Sequence, residues 1–139
     1  VNNADVVKHL EAFDLGALRT HLAEVPPGMD GLPVAPLVDD AIAWIDDLRQ
    51  DIITLVRQVA DAEDVAMAVA IQYVELKSRW IAFNTKMNYE RFRKGDCDRL
   101  DMCKGACAST LLGHLEELLT NEDIDKITDF LAAPLNRAA

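Results

Sequence analysis

Residues 41–59 read AIAWIDDLRQDIITLVRQV. Ala41, Ile45, Leu48, Ile52, Leu55 and Val59 recur at alternating steps of four and three, while Asp46, Asp47, Asp51, Arg57 and Gln58 fall between them. That period belongs to an α-helix with one apolar seam. No segment of the chain alternates with period two for long enough to make a strand. The expected fold class is all-α: an antiparallel helical bundle of three long helices, at about 36–60, 62–94 and 97–119, with short helices at both ends.

Caps and breakers delimit the elements. Asn2 or Asn3 caps a first short helix through Phe13, and Asp14 caps a second, LGALRTHLAEV. The run PPGMDGLPVAP at 26–36 contains four of the five prolines and reads as a loop. Pro36 suits the first turn of a helix. Asp61 with Asp64 resembles a capping box and predicts a break before the next helix. Gly95 ends that helix, Asp96 or Asp98 starts another, and Thr120 or Asn121 caps a last one through Ala133, before Pro134. Residues 1–139 are expected to form a single helical domain: a helical pair in 1–25, a Pro/Gly loop at 26–35 and the main bundle at 36–133.

The helix at 62–94 carries two apolar rows. Val69, Tyr73, Leu76, Trp80, Phe83 and Met87 form one; Met67, Ala70, Ile71, Val74 and Ile81 lie beside it. Such a helix is central in a bundle or in a dimer, so a homodimer is expected. The predicted core combines Ile45, Leu48, Ile52 and Leu55 with Val69, Tyr73, Leu76, Trp80 and Phe83, and with Leu111, Leu115 and Leu118.

All three cysteines fall in GDCDRLDMCKGAC, residues 95–107. On one helix Cys103, Cys107 and His114 share a face about 40° wide, but His114 lies roughly 10 Å further along the axis than Cys107. One ion with bonds of about 2.0–2.3 Å does not reach all three. His9 and His21 are isolated in sequence, so no metal site and no cofactor is expected. Cys103 and Cys107 are expected to be small buried hydrophobes, and His114 a core or seam residue. An odd cysteine count without disulfide spacing implies a reducing, cytoplasmic setting. Val1 is compatible with removal of an initiator methionine, so the chain is expected to be nearly complete. Gly105, Ser109 and Gly113 form a small-residue row, and an antiparallel turn at Gly95 places Gly113 opposite Ser78 and Ser109 opposite Ala82.

The net charge is −10, yet residues 77–104 carry eight basic and four acidic side chains. An acidic body with one basic segment argues against general nucleic-acid binding and allows a local anion site. The hairpin FNTKMNYERFRKGDCDRLDMCK, residues 83–104, is therefore the candidate binding surface, with Asn84, Lys86, Asn88, Tyr89, Arg91, Arg93, Lys94 and Arg99. Cations near a helix C-terminus also meet its dipole favourably, for ~0.3–1 kcal/mol each, which accounts for Arg91, Arg93 and Lys94 structurally. Asparagines, a tyrosine and arginines together are the residue types that recognise anions or anchor interfaces.

No catalytic residue is assigned. There is no phosphate loop, no HExxH and no nucleophile elbow. The expected function is a non-enzymatic regulatory or protein-interaction module, an adaptor or inhibitor, with a protein partner and no membrane contact. The alternative is a small helical enzyme or ligand-binding protein, such as a magnesium-dependent nucleotide hydrolase using Asp98 and Asp101.

Overall fold

A computed structural model describes residues 2–24, 35–95 and 98–138. Among them the chain forms six helices and no strand: α1 (Asn3–Glu11), α2 (Leu15–Ala23), α3 (Ala35–Arg57), α4 (Ala62–Lys94), α5 (Arg99–Glu116) and α6 (Asn121–Ala138). Asp96, Cys97 and the Pro/Gly loop at 26–34 lie outside the described residues.

The caps explain most of these boundaries. Asn2 accepts from the Asp5 N–H, Asp14 from Ala17, and Asp61 from both Glu63 and Asp64. Each satisfies donors that a helix start leaves open. Gly95 stops α4 at φ 77°, its N–H donating to the Arg91 carbonyl at 2.9 Å. This left-handed position is one where a side chain would strain the backbone. Thr120 and Asp123 exchange bonds reciprocally at the start of α6. Helix α6 continues through Pro134 and is as long as α5, so the C-terminal element is not short. A proline removes one ladder bond and kinks a helix without having to end it.

Helix α5 is the central element, with α3 and α4 packed along it. Tyr73 meets Glu116 toward one end and Lys86 meets Asp101 toward the other, so α4 and α5 are antiparallel. The N-terminal pair is not an appendage. Asn3 reaches the Val59 carbonyl, Phe13 receives Arg49, and Arg19 pairs with Asp39, so α1 and α2 run back along α3 as one broken layer. Leu10, Ile45, Ile53, Leu76, Leu111 and Leu115 belong to one continuous hydrophobic cluster drawn from these layers. Helix α6 covers the first half of α4, burying Ile127.

Two expectations about faces fail. Leu55 is 37% exposed, because the buried stripe of α3 follows Ile45, Ile52, Ile53 and Val56. A straight helix drifts about 20° per seven residues from a strict heptad, and α3 is covered by α1 as well as α5. Leu48, Trp80, Phe83 and Leu118 are half-buried rather than buried. Arg49 occupies the seam instead, its side chain only 12% exposed, with Nη2 on Asp46 and Nη1 on the Phe13 carbonyl.

The small-residue row is also misassigned. Gly105 is buried, and a Cβ there would stand 3.4 Å from Met87 Cε and 3.8 Å from Phe83 Cβ. Gly113 and Ser109 face solvent, and a Cβ at Gly113 would meet nothing within 4 Å. The antiparallel register is as expected, but the close approach belongs to Gly105. Gly113→Ala should therefore stabilise the protein by about 0.5–1 kcal/mol, through helix propensity alone. Gly105→Leu should destabilise it by about 1–3 kcal/mol by overpacking. Urea unfolding measures both, and a destabilised Gly113→Ala would show that α5 presents the other face.

Candidate functional site

The end of α4 exposes two aromatic rings among cations. Phe92 is 88% exposed and Tyr89 62%, and residues 91–95 are all exposed. Arg91, Arg93 and Lys94 share this exposed last turn, and Asn88 is exposed as well. Arg93 lies over the Tyr89 ring, its guanidinium carbon 5.9 Å from the centroid, which organises part of the surface. These six side chains form a cationic and aromatic tip.

Three residues expected at this surface have other positions. Lys86 bridges to Asp101 at 2.5 Å and to Glu90 at 3.8 Å, clamping α4 to α5. Asp101 holds the Lys86 ammonium above the ordinary lysine value. Arg99 opens α5 and lines a crevice of about 130 Å³ with His21, Leu22, Leu37, Met102 and Cys103. Asn84 is half-buried within α4. The carboxylates considered for magnesium are engaged as well. Asp98 caps α5 through the Leu100 and Asp101 N–H groups, its own N–H bonds Glu90, and Asp101 holds Lys86.

A second cluster joins residues that looked unrelated in sequence. His9 and His114 stack with ring centroids 3.9 Å apart and planes inclined by 12°. His9 Nε2 lies 2.8 Å from the His114 carbonyl oxygen, and His114 Nε2 lies 2.5 Å from that of His9. Both carbonyls belong to the last turns of their helices. The Phe13 N–H closes on Leu10 rather than His9, and the Leu118 N–H on Leu115 rather than His114. Each imidazole thus caps the other helix, donating from Nε2 to a carbonyl that its own helix leaves open. Glu117 Oε2 stands 3.3 Å from His9 Nε2, and Phe13 leans on His114 with centroids 5.3 Å apart. His9 is therefore not isolated. Its position in the last turn of a capped helix was the one available signal, and it named no partner.

Cys103 and Cys107 are free, buried thiols, as their apolar neighbours implied. Burial pushes Cys103 up from its ordinary value, and burial with Cys103 nearby pushes Cys107 up to about 12. Such thiols hold little thiolate and are poor nucleophiles. Tyr73, buried and donating to Glu116 Oε1 at 2.5 Å, is likewise raised to about 12, chiefly by burial.

No described helix is long and apolar enough to cross a membrane. No protein-family model, curated protein or solved structure matches the chain.

The folded state holds the Tyr73 and Cys107 protons more tightly than the unfolded chain does. Their contribution is complete below the unfolded values of 10.0 and 9.0 and is lost as pH rises toward about 12. Urea midpoints should accordingly decline as pH rises above about 9, and Cys107→Ala should flatten that decline. An equal slope in parent and variant would mean that Cys107 is not held protonated by burial.

Proposed function

We propose that the chain is a non-enzymatic protein-interaction module, an adaptor or inhibitor, which engages an acidic partner surface through the tip of α4. The observation that carries this reading is Phe92, 88% exposed beside Arg91, Arg93 and Lys94. An isolated protein gains nothing in stability from an aromatic ring in water, whereas aromatic and arginine side chains anchor interfaces. Guanidinium groups beside the rings add charge-assisted bonds to carboxylates. The remainder of the chain is strongly acidic, which disfavours nucleic acid as the partner. Asp98 caps α5 and Asp101 holds Lys86, which favours this reading over a magnesium-dependent hydrolase.

A homodimer remains part of the proposal. Met67 is 46% exposed and Ile81 51%, and they lie two heptads apart on α4, with half-buried Val74 midway. A second copy covering this row would remove apolar surface from water, each fully covered side chain contributing about 1.5–3 kcal/mol.

The test of the partner surface is Arg91→Ala with Arg93→Ala, checked by circular dichroism for an intact fold. The double variant should bind the partner recovered from the source cell at least about tenfold more weakly at low salt. Parent binding should itself weaken as salt rises, since charges are screened within ~8 Å at physiological ionic strength. Equal binding by parent and variant at low salt would reduce the tip to a capped helix end. Self-association is tested separately: sedimentation at tens of micromolar should give a dimer, converted to monomer by Ile81→Asp. A monomeric parent rejects the dimer.

A further inference from the structure

We propose that His9, His114 and Glu117 form a binding site for a divalent transition metal of the zinc class, which joins α1 to the end of α5. The site is separate from the α4 tip and does not depend on it. Two imidazoles and a carboxylate are a donor set that zinc uses, with water completing the coordination. One ligand atom from each of the three residues lies within 4.8 Å of the other two. A tetrahedral ion held at about 2.0–2.2 Å keeps its ligand atoms about 3.3–3.6 Å apart. His9 Nε2 and Glu117 Oε2 already stand 3.3 Å from one another.

The surroundings favour a cation. Both histidines lie in last turns, where the helix dipole presents its negative end, so α1 and α5 direct two such ends at one point. Phe13 covers one side of His114, which lowers the local dielectric. Glu117 is exposed and leaves an opening for water ligands.

The stacked pair does not bind an ion in its present orientation. A metal lies close to the plane of each imidazole that holds it, and two planes inclined by only 12° do not meet at an ion about 2 Å away. Binding therefore turns at least one ring out of the stack and exchanges its bond to the facing carbonyl for a bond to the metal. The reciprocal cap is the metal-free arrangement, and the ion is the alternative clasp between the same two helices. Because the ion competes with the ring hydrogen bonds and with protons, its affinity is moderate and falls in acid.

The experiment is calorimetric titration of the full chain with zinc chloride at neutral pH, alongside thermal unfolding. We expect one zinc per chain with a micromolar dissociation constant, and a melting temperature that rises with zinc. His9→Gln and His114→Gln should abolish both effects. Those variants also remove the cap, so Glu117→Gln serves as the second arm. It should weaken zinc binding at least about tenfold while changing the metal-free melting temperature far less than the histidine variants do, because both carbonyl bonds of the cap remain and a Gln amide oxygen can still accept from His9 Nε2. Cobalt(II) in place of zinc should show no sulfur-to-metal charge-transfer absorption. Absence of binding at millimolar zinc overturns the proposal. So does binding that Glu117→Gln and His9→Gln leave unchanged, or a cobalt complex that carries the sulfur band.

Discussion

The close approach of neighbours to α5 is the constraint on which the rest of the fold depends. Its buried residues change from small to large along the helix: Cys103, Gly105, Cys107 and Ala108, then Leu111, Leu112 and Leu115. The small half lets α4 approach with Phe83 and Met87 against Gly105, while Leu111, Leu112 and Leu115 fill the core in the other half. Because α5 is wedged between α3 and α4, buried positions lie around much of its circumference, and no single amphipathic stripe describes it. The cysteines belong to this packing. Their burial is a matter of side-chain size, and the raised thiol values follow from it.

What was legible in the sequence was local. Asn2, Asp14, Asp61, Asp98, Thr120 and Gly95 mark helix ends by chemistry acting over three or four residues, and each does so in the structure. The apolar periods of α3 and α4 likewise establish the helices and the antiparallel order. Choice of face was not legible, because it is decided by neighbours. Gly105 and Gly113 lie about 80° apart on a helical projection, and nothing local says which of them α4 will cover, just as Leu55 belongs to the seam until α1 covers the other side of α3. The reciprocal histidine cap was further out of reach, since no local rule relates two terminal carbonyls on helices so far apart in the chain.

The basic segment divides by the same logic. Charge counting treats Lys86, Arg91, Arg93, Lys94 and Arg99 alike, yet only those beyond the last contact with α5 stand clear of it. Lys86, its side chain still 56% exposed, is tied across the edge of the α4–α5 seam by Glu90 and Asp101, both with side chains only 15% exposed. Arg99 faces α2 and α3. The tip is thus defined by where α5 begins, and the ion cluster beneath it fixes the angle at which it is presented.

The histidine pair also has a bearing on the order of assembly during synthesis. Its partners are separated by 105 residues. At about 5–20 residues per second, His9 is made roughly 5–20 s before His114. Helix α3 follows only once the chain has been made through Val59, about halfway through that interval; from then until α5 is made, α1 has α3 to lie against, through Asn3 and the Val59 carbonyl. The first layer therefore assembles in two stages, an early one with α3 and a late one in which the far end of α5 arrives and completes both helix ends together. Closing so long a loop costs entropy that rises only as the logarithm of its length, so the delay is a matter of translation time more than of thermodynamics.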